Sequence, residues 1–305
     1  MARSHWISVL QALFVTFLWS TSWVLIKIGL EDIPPLTFAG LRYGLAFLVL
    51  LPVALQRGSL RGLQASHWRA LLMLGIVMYA LTQGSQFLAL SYLPAQTTSL
   101  VLSFSPALVA LLGTVLLREP LDGRQWFGIA LYLAGALLFF YPADLPRGQL
   151  LGLLIILVGL ISNAGAGILG RAVNRGRQLG PLAVTVVSMG VGAVALLGGG
   201  IAVQGLPALS LTSWGIVAWL AVVNTAFAFT LWNHTLRTLS AMESSIINNT
   251  MLIQIAVLAW IFLGESLGVK EVSGLLLAAV GTLVVQLLAR KRMPVVAVGD
   301  RGVSS

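Results

Sequence analysis

The chain reads as a succession of long apolar runs separated by short polar punctuation. A bilayer core about 30 Å thick takes roughly 20 apolar residues of helix to cross. Runs of that length extend from Trp6 to Ile28, Pro35 to Leu55, Trp68 to Leu90, Ala95 to Leu117, Arg124 to Tyr141, Gln149 to Gly170, Pro181 to Val203, Ser213 to Leu236, Ala241 to Leu263 and Val269 to Ala289. The pattern predicts an all-α integral membrane protein of ten transmembrane helices. The connections are short and often open with Pro, Gly or an acidic residue, as in Glu31-Asp32-Ile33-Pro34-Pro35, Leu93-Pro94, Glu119-Pro120-Leu121-Asp122-Gly123 and Gly180-Pro181. None could house a soluble domain.

Composition sharpens this picture. Of 305 residues 58% are apolar and 9% charged, against roughly a quarter charged in a soluble domain. The chain has no cysteine, three histidines (His5, His67, His234) and nine acidic residues. A disulfide framework and a thiolate metal site are excluded, and no metal or cofactor is expected. The first apolar run continues through Trp19 and Trp23 to Ile28 with no convincing small-x-small cleavage site before Lys27, so it reads as a retained helix and not as a secretion signal.

The formal charge of +9 is explained by its placement. With the N-terminus inside, one face collects Arg3, Arg57, Arg61, Arg69, Arg118, Arg124, Arg171, Arg175, Arg177, Arg237, Arg290, Lys291, Arg292 and Arg301, while the other keeps only Lys27, Arg147 and Lys270. Cytoplasmic loops retain Lys and Arg, so both termini are expected in the cytoplasm, in a multi-pass inner-membrane protein that does not bind nucleic acid.

Displacing the chain by 146 residues against itself superposes Trp68 on Trp214, Leu90 on Leu236, Ala95 on Ala241, Ser99 on Ser245, Leu117-Arg118-Glu119 on Leu263-Gly264-Glu265, Gly128 on Gly274 and Gly135 on Gly281. Pro35-Leu36 falls on Pro181-Leu182 in the same register, and Lys27 meets Arg171 after a two-residue gap. Two repeats follow, 1–147 and 148–292, with a cytoplasmic tail at 293–305 expected to be disordered. Five helices is an odd number, so the second copy enters the membrane from the opposite side. Inverted repeats packed about a midplane cavity are the common architecture of secondary transporters.

Leu18-Trp19-Ser20-Thr21-Ser22-Trp23 with Lys27, Pro34-Pro35-Leu36 leading to Leu41-Arg42-Tyr43, Ser105-Pro106-Ala107-Leu108 running into Leu117-Arg118-Glu119-Pro120-Leu121, and Trp126-Phe127-Gly128 through Gly135 follow in order, and the second copy repeats the last pattern at Leu263-Gly264-Glu265-Ser266-Leu267 and Gly274 through Gly281. In order and spacing these segments resemble the drug/metabolite transporter superfamily, specifically its EamA-type ten-helix members. The resemblance implies a basket of ten helices around a cavity lined by the third, fourth, eighth and ninth helices with parts of the first and sixth. It also implies export or uptake of small organic solutes, often amino acids or related metabolites. Two departures weaken the symmetry: Leu252 stands where the first copy has Pro106, and Ile161-Ser162-Asn163-Ala164 replaces the first helix's tryptophan.

Polar groups in hydrocarbon cost several kcal/mol unless satisfied, so those at mid-span should face one another or a wet cavity. Trp19, Tyr79, Gln83, Ser99, Ser103, Asn163, Asn224, Asn248 and Gln254 are the expected substrate-binding residues. Interhelical hydrogen bonding is the alternative for each. Arg42, about two turns inside the second helix, needs a partner, for which a carbonyl end, Glu31, Asp32 or a substrate carboxylate could serve. Lys27 reads as a snorkelling side chain. No Asp or Glu falls at mid-span; Glu119, Glu243 and Glu265 all sit at helix ends, where Glu119 and Glu265 could cap neighbouring helices or pair with Arg118 and Lys270. That argues against the carboxylate mechanism of small multidrug antiporters.

No nucleophile–base pair, metal-ligand pattern or phosphate loop is present, so the chain is not expected to be an enzyme. The reading is a secondary transporter of a small organic metabolite working by alternating access, with solute and lipid bilayer as its partners and a homodimer left open. A receptor or scaffold without transport activity, or a drug or cation efflux carrier, is the alternative.

Overall fold

A computed structural model describes residues 2–116, 123–141, 147–175, 179–235, 238–239 and 247–289. Every regular element among them is helical. In chain order they are α1 (Ala2–Gly29), α2 (Pro35–Gln56), α3 (Ala65–Leu90), α4 (Ala95–Leu102 and Ser105–Leu116), α5 (Gly123–Phe140), α6 (Arg147–Arg175), α7 (Pro181–Gln204), α8 (Leu211–Thr235), α9 (Met251–Leu263) and α10 (Val269–Ala289). Six of these, α1, α2, α3, α5, α6 and α7, are long and apolar enough to cross a bilayer, and α8 and α9 contribute the shorter apolar stretches Leu211–Phe227 and Ile247–Leu263. Glu119, Glu243 and the tail at 293–305 lie outside the described residues.

Local chemistry sets the helix ends. Pro35 and Pro181, equivalent in the two halves, open α2 and α7 at a position where a missing N–H costs nothing and a fixed φ favours the first turn. Gly264 closes α9 at φ 66°, a left-handed conformation that a side chain would strain. Large apolar side chains such as Phe127, Leu137 and Val194 remain exposed on the outside, as lipid-facing positions should.

The expected continuity of the fourth and ninth runs is interrupted. α4 breaks at Ser103-Phe104, just ahead of Pro106, which cannot donate to Leu102 O. The carbonyls loosened there are recovered by side chains: Ser105 Oγ donates to Leu102 O at 2.7 Å, and Ser103 Oγ and Tyr132 OH donate to Leu100 O at 2.7 and 2.6 Å. Before α9, residues 247–249 are helical and Thr250 forms a turn. Subtracting the repeat displacement puts Thr250 on Phe104, so the second copy breaks in the same place without a proline.

Two more irregular segments are also equivalent. α3 is π-helical over Gly75–Gln83 and α8 over Val222–Phe227, and the repeat register superposes these stretches. In each a threonine bridges a five-residue step, Thr82 Oγ1 to Val77 O at 2.9 Å and Thr225 Oγ1 to Leu220 O at 2.8 Å. π-turns within helices often mark functional regions.

The halves interpenetrate. α2 packs on α7 and α5 on α10, while α1 lies against α8 and α9 of the second half and α6 against α3 and α4 of the first. At the α5–α10 crossing, Gly135 meets Gly274 and Gly128 meets Gly281, so closely that a Cβ on Gly135 would stand 2.5 Å from Gly274 O and one on Gly128 2.9 Å from Gly281 O. Since Gly128 is equivalent to Gly274 and Gly135 to Gly281, each contact is the other's symmetry mate. That reciprocity is what a two-fold axis between inverted copies requires.

Candidate functional site

A cavity of about 470 Å³ lies between α3, α6 and α7, with Phe229 of α8 on its wall. Its lining includes Tyr79, Asn163, Thr185 and Ser188 among apolar neighbours such as Leu74 and Met78. These positions fall in the half of the bundle nearer the loop that joins α2 to α3. Asn163 donates to Ser105 Oγ at 2.8 Å, tying α6 to the break in α4. Tyr79 is buried and packs edge-on against Tyr43 at 5.3 Å. Trp19 stands beside the wall residue, with ring centroids 5.1 Å from Phe229 and 5.2 Å from Trp232.

The other expected residues divide by what they bond. Asn224 is wholly buried: its Nδ2 donates to Leu18 O and to Ser22 Oγ at 3.0 Å with Thr21 Oγ1 alongside at 3.2 Å, its backbone carbonyl accepts from Trp19 Nε1 at 3.1 Å, and its Oδ1 has no partner among the described residues. Both ends of the Gln254 amide are engaged: Oε1 accepts from Ser20 Oγ at 3.0 Å, and Nε2 donates to Thr250 Oγ1 at 3.0 Å and Thr16 Oγ1 at 3.3 Å. These two amides therefore fasten α1 to α8 and α9. Interhelical bonds of this kind contribute about 0.6 kcal/mol each on average.

Ser99 and Ser103 bond within α4, to Gln96 O at 2.9 Å and Leu100 O at 2.7 Å. Asn248 is exposed and does not border the cavity. Gln83 is half-buried and its amide has no hydrogen-bond partner among the described residues. The structure thus gathers Tyr79 and Asn163 at one cavity with Trp19 alongside, and distributes the remainder among helix ties, local backbone bonds and, for Gln83, an unengaged position.

Arg42 is 6% exposed. Its Nε donates to Thr225 Oγ1 at 3.2 Å, and its guanidinium lies 5.3 Å from the Tyr43 ring centroid and 6.0 Å from that of Phe87. Neither acid considered from sequence pairs with it: Asp32 Oδ2 accepts from Ser213 Oγ at 3.1 Å, and Glu31 is exposed.

At the face opposite the α2–α3 loop, the turn between α3 and α4 is held from two sides. Lys27 Nζ donates to Leu90 O at 2.6 Å and Leu93 O at 2.8 Å, placing a cation on the carbonyl end of α3. Glu265, just past α9, accepts from the Ala95 and Gln96 amides at 2.6 and 3.1 Å, capping α4 with an anion. Gln96 Nε2 completes the tie to Ser266 O at 2.8 Å. Lys27 is therefore engaged and not snorkelling, and Lys270 pairs with Glu271 at 3.1 Å and not with Glu265.

The chain matches the model of the EamA-like transporter family twice, over residues 6–141 and 150–287. It belongs to that family. Among relatives of this EamA-like protein, the uncharacterized inner membrane transporter YedA of Escherichia coli strain K12 is 28% identical over 279 residues, 90% of this chain and 87% of the relative. The probable amino-acid metabolite efflux pump of the same organism is 27% identical over 234 residues, 72% of this chain and 75% of that protein. A crystal structure at 19% identity superposes with a TM-score of 0.64 over 93% of this chain and 98% of the other, a likeness of fold. The family and both relatives are named as transporters, and the apolar helices place this one in a membrane with small solutes as its partners.

Sequence reasoning missed Phe229, the π-helical segments and the α1 hydroxyls Thr16 and Ser20. The repeat register held one usable signal, because it aligns residues 75–83 of α3 with 221–229 of α8. The hydroxyls gave none, since their partner Gln254 lies 234 residues from Ser20.

Proposed function

We propose that this EamA-like protein carries an amino acid or a related small metabolite across a bacterial inner membrane by alternating access, with both termini in the cytoplasm. The observation behind the reading is an asymmetry: the cavity beside Tyr79 and Asn163 lies toward the α2–α3 loop, while Lys27 and Glu265 pin the opposite face. Reciprocal contacts between the halves supply the axis about which two such states could exchange. The working units are 1–147 and 148–292. Trp19, Tyr79, Gln83 and Asn163 contact solute, whereas Asn224, Gln254, Ser99 and Ser103 hold the helices that frame it.

A drug or cation carrier draws support from the Trp19–Phe229–Trp232 ring cluster, since aromatic faces attract cations. The described spans offer such a cation no mid-span carboxylate, which favours the metabolite. Purified protein in liposomes preloaded with a mixed amino-acid and metabolite pool tests both readings. Saturable exchange of labelled amino acids over empty liposomes is expected. Exchange confined to lipophilic cations would transfer the assignment to the drug carrier, and absence of exchange from folded protein would favour a receptor.

A further inference from the structure

The geometry points to Arg42 as a carboxylate anchor: its guanidinium, held between α2, α3 and α8, is placed to bind the single carboxylate of a small organic solute. The inference rests on the transporter reading and names the substrate class for it.

A guanidinium within the membrane is costly and ordinarily pairs with an acid or with backbone carbonyls. Arg42 has none among the described residues. The acids there are Glu31, exposed beside Lys27; Asp32, bonded to Ser213; Glu265, on the amide end of α4; and Glu271, paired with Lys270. What surrounds Arg42 is neutral: the Thr225 hydroxyl on Nε, and the Tyr43 and Phe87 rings. Rings and one hydroxyl steady a cation without cancelling its charge.

The two Nη groups have no hydrogen-bond partner among the described residues. They are not sealed in, because the enclosed side-chain polar atoms that lack a partner among the described residues are Gln96 Oε1 and Asn224 Oδ1. They are therefore within reach of a small polar group. With Nε held by Thr225, the Nη edge remains for a planar two-oxygen acceptor, the arrangement in which arginine binds carboxylates in bidentate fashion. Gln83 reinforces the site. It lies on one stripe of α3 with Tyr79 and Phe87, the residues that touch Tyr43 and Arg42, and its amide is unengaged.

The charge count selects among anions. Arg42 is the one described cation well inside the spans, so one carboxylate balances the guanidinium it faces and a phosphate dianion would overshoot. The fixed position of Thr225 has a cause of its own: its hydroxyl spends its proton on Leu220 O across the π-turn, leaving the oxygen lone pairs to accept from Nε. The π-helical segment of α8 thus orients the arginine.

The test uses the full chain purified in detergent and in liposomes. Thermal stabilisation is read with L-phenylalanine, L-leucine and 3-phenylpropionate against L-phenylalaninamide and L-leucinamide, for wild type, Arg42→Lys and Arg42→Met. The acids are expected to stabilise the wild type and the amides not, with Arg42→Met losing the effect and Arg42→Lys binding about tenfold more weakly, for want of the guanidinium fork. Equal stabilisation by acids and amides, no stabilisation by any acid, or unchanged acid binding in Arg42→Met would overturn the proposal. If Arg42→Met does not fold, the acid-against-amide contrast in wild type and the Arg42→Lys affinity decide instead. Acid binding without flux in liposomes would sink the carrier reading and leave the anchor, whereas undiminished acid flux through Arg42→Met would do the reverse.

Discussion

The crossing of α5 with α10 and the pair of interrupted helices α4 and α9 obey the same two-fold relation but are built from opposite materials. At the crossing four glycines bring backbone against backbone with no polar side chain between. In α4 and α9 the backbone opens, and Ser103, Ser105 and Thr250 close the loose carbonyls. The first arrangement tolerates no insertion. The second exchanges a rigid backbone bond for a side-chain bond that can be remade in another geometry. One packs backbone against backbone, and the other leaves its carbonyls to side chains.

That contrast can be broken from the rigid side first. Gly274→Leu puts a branched side chain where a Cβ alone would stand 2.7 Å from Gly135 O, so α5 and α10 must separate. We expect a loss of 3 kcal/mol or more, an estimate at the upper end of overpacking, seen as little folded protein by size-exclusion chromatography. Gly199→Ala on α7, with nothing within 4 Å of the added carbon, is the control and should be neutral or stabilising by up to about 1 kcal/mol. A well-folded Gly274→Leu protein would contradict the rigid assignment.

An intermediate effect is expected at the pinned face. Glu265→Ala strips the cap from α4 at a cost of about 1 kcal/mol, and a local opening equilibrium shifted by that amount speeds exchange about fivefold. Hydrogen exchange of the Ala95 and Gln96 amides reads it directly. Unchanged exchange would mean that Glu265 holds nothing.

The smallest effect should come from Pro106→Ala. Because α9 is interrupted at Thr250 with Leu252 in the equivalent place, the break belongs to the architecture, and removing the proline should move the melting transition by less than about 1 kcal/mol. Spin labels on cysteines introduced on either side of the break, in a chain with no cysteine of its own, should report an unchanged distance. A lengthened, straight α4 would show that proline creates the break.

How far the sequence carried depended on the range of the interaction. The ten apolar runs are local and were legible, and the glycines paired by the repeat register meet at the α5–α10 crossing. Arg42 was recognisable as a charge in need of a partner, but its neutral surroundings were not, since Thr225 is 183 residues away. Asn224 and Gln254 looked like ligands because sequence reports a polar group and not what it faces. The breaks and π-turns escaped notice because the apolar pattern of α9 runs on past Thr250 and that of α3 past Gly75. Backbone irregularity leaves little mark when every neighbour is apolar.

The interlocking of α1 with the second half has a consequence for how the protein is made. Trp19 finds its acceptor 205 residues later, at Asn224. At a synthesis rate of roughly 5 to 20 residues per second, α1 waits about 10 to 40 s before its partners emerge. Through that interval the hydroxyls of Thr16, Ser20 and Ser22 must bond back to their own helix, as those of Thr16 and Ser22 still do to Leu13 O and Leu18 O. The first helix thus carries in its own side chains a provisional set of bonds that lets it enter the bilayer early and be completed late.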